Sequence, residues 1–254
     1  MRRDVLDLRA FYTSPLGRAA QTMVSAKVEE AWAPVHGLDV LGLGYATPFL
    51  KLNRGARRIV AAMPAAQGVE PWPESSRNLA CLIDETTLPF PPALFDRVLA
   101  VHALEESGDP LVLMREVSRV LSPNGRVIVA VAARHGLWAH AEGTPFGHGR
   151  PFTRHQLETL IADADLEPTG WTRALYVPPL PWAAPWADGV EQLGARLWPG
   201  FAGLILMEAI KPVFARKAQG KHARARVFAP VLAPASQVNA RRSRSALGGT
   251  PRSS

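Results

Sequence analysis

Apolar residues fall into short runs separated by stretches with helical spacing. Residues 38–41, 58–62, 79–83, 97–101 and 127–132 are compact apolar runs bounded by Pro-rich, Gly-rich or acidic turns, as expected of strands buried on both faces of a parallel sheet. Between the last two, Leu111, Leu113, Met114, Val117, Val120 and Leu121 recur at helical spacing, with Asp109 placed to cap and Pro110 at the first helical position. Ser122-Pro123-Asn124-Gly125 then reads as the stop of that helix. Upstream, residues 4–33 predict two helices split at Thr13-Ser14-Pro15, the second running through Gly17, Ala20, Met23, Val24, Val28 and Trp32. Downstream, Thr153 and Gln156 have the spacing of a capping box that opens a helix through Leu157, Leu160, Ile161 and Ala164. Two further strands are expected near 168–176 and 203–210. Strands alternating with helices require right-handed crossovers, hence an open, mostly parallel α/β sheet.

Composition narrows this picture. A chain of 254 residues, 47% hydrophobic, has room for one α/β domain of about 200 residues with appendages. No apolar run approaches the roughly 18 residues of a membrane span. The N-terminal residues carry acids where a signal peptide has its apolar core, so export is not expected, and the lone Cys81 fits a reducing cytoplasm. The net charge of +7 is confined to the end of the chain. After Glu208 there are ten bases and no acid, and removing those ten from 29 leaves 19 bases against 22 acids. Residues 218–254, rich in Ala, Arg, Ser, Gly and Pro, read as a disordered basic tail, either solvated or touching RNA, anionic lipid or an acidic partner. Nucleic-acid contact is expected through that tail or not at all. The expected division is an N-terminal helical cap (1–34), an α/β domain (35–217) with inserts at 134–152 and 178–201, and the tail.

The most specific stretch runs from Asp84 to Gly125. It holds Asp84-Glu85-Thr86-Thr87-Leu88-Pro89-Phe90-Pro91, then Phe95-Asp96-Arg97-Val98, then Asp109-Pro110, Leu113, Glu116, Arg119-Val120-Leu121, Pro123 and Gly125. This pairing resembles the class I S-adenosylmethionine-dependent methyltransferases of the small-molecule type (methyltransferase type 11-like), in the segment that carries their third to fifth strands. The resemblance implies a three-layer α-β-α Rossmann-like fold, a mostly parallel sheet with an antiparallel last strand, S-adenosyl-L-methionine as cofactor and methyl transfer to a small molecule. A methyltransferase-like protein without catalysis, serving as a binding or regulatory module, is the alternative.

The same resemblance assigns site residues. Gly42, Gly44 and Tyr45, following the first strand, would face the methionine end of the cofactor, where a Cβ would block close approach of the backbone. The third loop glycine is replaced by Ala46. The acid usually found two residues before the first glycine is Val40; Asp39 precedes it and alternation points it to the opposite face. Met63-Pro64 stands where the acid that binds the ribose hydroxyls is usual, leaving backbone groups or Gln67 to compensate. Asp84 would accept from the adenine amino group, with Glu85 and Thr86 completing that pocket; capping of the following turn is the other reading. His102, just past the fourth strand, is the candidate general base or a loop residue holding nearby backbone. The segment 134–150, with His135, Trp138, His140, Glu142, Phe146, His148 and Arg150, is the candidate substrate region. Its histidines match no compact metal-ligand spacing, so no metal is expected.

Overall fold

In a computed structural model of the chain, the described residues are 3–32, 34–50, 55–180 and 201–213, with residues 182, 183, 189, 191, 194 and 197 and the pair 226–227. Most of the Trp-rich segment 178–201 and of the basic tail lies outside them.

Two helices come first, α1 (Val5–Thr13) and α2 (Pro15–Ala31). Asp4 caps α1 by accepting from the Leu6 amide. The Ser14 hydroxyl caps α2 by accepting from the Gly17 amide, and Pro15 starts that helix, where its missing N–H removes no hydrogen bond. The chain continues as β1 (Asp39–Gly44), a single turn α3 (Thr47–Leu50), β2 (Arg58–Pro64), β3 (Ala80–Ile83) and β4 (Phe95–Val101). Then follow α4 (Pro110–Val120), β5 (Leu121–Ala132), α5 (Arg154–Asp163), β6 (Glu167–Ala174), β7 (Leu204–Ile210) and β8 (Arg226–Val227). Asp109 caps α4 by accepting from the Leu111 and Val112 amides, and both bonds of the Thr153–Gln156 capping box are present on α5.

The sheet runs in the order β3-β2-β1-β4-β5-β7-β6-β8. Strands β1 to β5 are parallel, and β7 is antiparallel to both β5 and β6, as the resemblance implied. β8 adds two residues in parallel to Gly170 and Trp171.

Side-chain alternation along these strands feeds two cores. On one face Val40, Ala61, Met63, Leu99, Val101, Ile128 and Ala130 pack with Leu8 and Tyr12 of α1 and with Ala20, Val24 and Val28 of α2. On the other, Leu41, Leu43, Ala62, Val98, Ala100, Val127 and Val129 pack with Leu113, Met114 and Val117 of α4 and Leu157 and Ile161 of α5. The N-terminal helices are therefore a structural layer of the sheet. Among the described residues the crossovers on this face add little helix, α3 being a single turn and residues 65–79 between β2 and β3 forming none.

Two boundaries differ from the sequence reading. The ladder with β4 continues through Gly42 and Gly44, so both glycines belong to the end of β1 and not to a turn after it. Strand β5 begins at Leu121, which pairs with Phe95. Pro123, Asn124 and Gly125 form a kink within the strand, with Asn124 left-handed, before regular pairing resumes at Arg126.

Candidate active site

In open α/β sheets ligands bind beyond the carboxyl ends of the strands, where the strand order reverses. Here that switch point lies between β1 and β4, whose ends carry Gly44-Tyr45 and Val101-His102. The Tyr45 amide donates to the Val101 carbonyl at 2.8 Å and closes the two ends together. Gly44 has φ +78°, and a Cβ there would fall on that same carbonyl oxygen, so glycine is required by internal packing.

His102 follows immediately, itself left-handed at φ +52°, a conformation that costs a non-glycine residue about 1 kcal/mol. Its buried ring is held by a 2.8 Å hydrogen bond between Nε2 and the Tyr12 hydroxyl, and by Phe146 at 4.6 Å between ring centroids. Tyr12 comes from the last turn of α1. It lies stacked on Tyr45 at 5.7 Å and edge-on to Phe49 at 5.6 Å. Burial, reinforced by the neighbouring Tyr45 and Glu105, holds the Tyr12 phenol well above its ordinary pKa, so it is a neutral donor or acceptor. Glu105, also buried, accepts from the Ala132 amide at 3.1 Å. The head of the crevice is thus an aromatic box with one buried carboxylate beside it. Neither Tyr12 nor Glu105 was singled out by the sequence reading. The spacing of Val5, Leu8 and Tyr12 marks a packed helix face, and nothing in it distinguishes the phenol at the crevice from a core aromatic.

The exit of β2 forms the next wall. Met63 is fully buried, and the chain turns through Pro64 to Gln67, whose amide donates to the Pro64 carbonyl. The Gln67 carbonyl in turn accepts from the Val5 amide at 2.9 Å. Three residues on, Glu70 accepts from the Tyr45 hydroxyl at 2.8 Å and lies 3.8 Å from the Arg9 guanidinium. Burial and the adjacent Glu70 carboxylate push the Tyr45 phenol up.

Asp84 closes β3. Its Oδ1 accepts from the Thr86 amide at 2.8 Å and from the Thr86 hydroxyl at 2.7 Å, and these bonds hold the carboxyl below its usual pKa. The residue caps the turn and remains exposed. Glu85 and Thr86 follow on the same open rim. The candidate substrate segment folds back over the crevice: Trp138 and Phe146 are buried against each other and against Phe11, and the Trp138 indole donates to the Val177 carbonyl. Several charged groups in and just after this segment have other partners. The Arg150 guanidinium donates to the Ser107 carbonyl, Arg154 pairs with Glu158 and lies over Trp171, and His148 meets the Glu142 carbonyl and Arg3. Among the described residues no three His, Cys, Asp or Glu come together as a metal would require.

Residues 38–129 match the family described as the methyltransferase domain. Over those residues, from β1 into β5, the chain is similar to a methyltransferase domain. Solved structures share the domain's fold at low identity. A methyltransferase of Thermotoga maritima, described as a possible histamine N-methyltransferase, is 17% identical with a TM-score of 0.56, over 82% of this chain and 96% of that one. The [4+2]-cyclase SpnF is 21% identical with a TM-score of 0.53, over 78% and 83% of the two chains. A methyltransferase of Mesorhizobium loti is 14% identical with a TM-score of 0.51, over 79% and 99%. Among curated sequences, an uncharacterized protein of Mycobacterium tuberculosis (strain ATCC 25618 / H37Rv) is 25% identical over 190 residues, 70% of this chain. The chain spans 63% of that relative's length, less than two thirds.

The chemistry of the methyltransferase domain can be set against the two halves of S-adenosylmethionine. A nucleoside asks for neutral and acidic hydrogen-bond groups at the exits of β2 and β3, and Gln67 and Asp84 stand there. A sulfonium asks for electron-rich ring faces, which Tyr12 and Tyr45 offer at the switch point. The donor set fits the cofactor. In the arrangement seen, the Tyr12 ring covers the mouth between β1 and β4.

Proposed function

We propose that the chain transfers the methyl group of S-adenosylmethionine to a small-molecule acceptor at the β1–β4 switch point. One observation carries the reading: the residues matching the methyltransferase domain end β1 and β4 in a glycine-bearing strand end and a buried histidine that meet across that switch point. The cofactor supplies an activated methyl on a cationic sulfur. The chain's own contribution is then positioning and, where the acceptor must lose a proton, a base. His102 is assigned that role, with Tyr12 orienting its ring through Nε2. The aromatic walls of Phe11, Phe146 and Trp138 support an acceptor with an apolar body.

A second reading keeps the domain as a binding module without catalysis. It is favoured by the Tyr12 ring lying on Tyr45 and by the apolar Val40 and Met63 at two positions where the family resemblance leads one to expect acids. The likeness to a cyclase shows that the fold alone does not fix the reaction. Calorimetric titration with S-adenosylmethionine and S-adenosylhomocysteine tests the first reading directly. Saturable binding with a folded protein is expected, and no heat at millimolar ligand sinks it. Transfer of a labelled methyl group to any acceptor from a metabolite extract, lost in His102→Ala, eliminates the second reading.

A further inference from the structure

Most of the large apolar side chains exposed among the described residues gather at one place, past the carboxyl end of β6. Leu137, Leu180, Trp182 and Phe201 are 47%, 44%, 68% and 57% exposed. Close backbone contacts bring their segments together. A Cβ on Gly136 would meet the Ala202 carbonyl oxygen, one on Gly203 would meet the Trp138 ring, and the Trp138 indole donates to the Val177 carbonyl. Leu137 and Phe201 flank these contacts directly, and the Leu180 carbonyl accepts from the Ala183 amide just beyond Trp182. The 137–138 segment is two-sided: Trp138 is buried on Phe11 and Phe146 of the crevice wall, and Leu137 stays outside. A grouped exposure of this kind, with Trp and Phe on the outside, marks a surface that something covers.

Charge says what that is. After Glu208 the chain carries ten bases and no acid. β8 runs parallel to β6, so the chain beyond Val227 sets off toward the end of the sheet at which β6 leads into Val177 and Leu180. That stretch holds Arg241, Arg242, Arg244 and Arg252. Exposed Arg134 and His135 add to them next to Leu137. A second copy of the chain would bring its own bases to the same place, where like charges disfavour the pairing. An apolar wedge together with a polybasic segment is instead the pair of signals that holds a protein on an anionic bilayer. We propose that Leu137, Leu180, Trp182 and Phe201 dip into the surface of an anionic membrane while the basic end of the chain engages the lipid headgroups. No helix among the described residues is long and apolar enough to cross a membrane, and the proposed contact is with one bilayer surface. The crevice wall built by Trp138 and Phe146 then stands next to the lipid.

Cosedimentation of the full chain with vesicles tests this. Binding is expected to vesicles of phosphatidylcholine with about a third phosphatidylserine, about tenfold weaker to phosphatidylcholine alone, and weaker as salt rises. Substituting Trp182→Ser and Phe201→Ser together is expected to lower affinity for the anionic vesicles about tenfold, because two rings no longer leave water. Both side chains are exposed in the free protein, so the double variant should melt at the wild-type temperature. Absence of wild-type binding to the anionic vesicles overturns the proposal, and so does equal binding by the double variant. Equal binding to uncharged vesicles overturns it too, since the basic end would then contribute nothing. A dimer in sedimentation velocity that disappears in the double variant would assign the patch to a second copy and likewise overturn it.

Discussion

Gly44 and His102 stand side by side in left-handed backbone at the ends of β1 and β4, yet they do different work. Gly44→Ala must place a methyl on the Val101 carbonyl in a strained conformation, and a loss of about 3 kcal/mol or more is expected in urea denaturation. Tyr12→Phe keeps every ring contact and removes only the hydroxyl on His102 Nε2, so about 1 kcal/mol is expected from the same measurement. Asp39, one residue before Val40, shows a third behaviour. It is buried with its carboxylate on Arg57, 2.6 Å from Nη2, and that hydrogen bond holds its pKa below the ordinary range. Its contribution is therefore complete above the unfolded carboxyl value near ~4 and is lost as pH falls through the lower folded value. Asp39→Asn is expected to be less stable than wild type by about 1 kcal/mol at pH 7, since Arg57 is largely exposed, with the two urea curves converging below about pH 4. Strand alternation was enough to place Asp39 away from the crevice. Nothing local in the sequence placed Tyr12 or Glu105, because their meeting with His102 depends on the whole sheet being assembled.

At the scale of elements, the stretch that made the family legible turns out to be a latch. The Glu116 carboxylate of α4 accepts from the Leu88 amide at 2.7 Å, and Arg119 donates to the carbonyls of Leu88 and Phe90 while pairing with Glu116. The Leu88-Pro89-Phe90 segment and the Glu116/Arg119 pair, about thirty residues apart, are two sides of one contact. That explains why they stand out together, and why the resemblance specified the fold better than it specified the chemistry. Arg119→Met is expected to cost about 2 kcal/mol in chemical denaturation, since it leaves two carbonyls and the Glu116 carboxylate without their donor. Hydrogen exchange at the Leu88 amide should quicken in the same variant; unchanged protection there would mean the latch does not hold the 84–91 loop. The helix caps at Ser14, Asp109 and Thr153 were equally readable, because capping is local chemistry. The kink at Asn124 was read as a stop because pairing of Leu121 with Phe95 is a long-range contact with no local signature.

Across the whole molecule, α1 and α2 share one continuous core with β1, β2, β4 and β5. Leu8→Ala, at a residue 1% exposed, is expected to destabilise the entire sheet by about 2–4 kcal/mol in a single cooperative transition. A separate early transition for the helices would contradict that. The position of Tyr12 then bears on time as well as on structure. Its ring lies on Tyr45 and edge-on to Phe49 at the strand ends, so a ligand that needs this space is expected to wait for α1 to move, and motions of that kind take microseconds to seconds. In stopped-flow mixing the observed association rate should level off at the opening frequency of α1 as ligand concentration rises, and Tyr12→Ala should restore a linear climb.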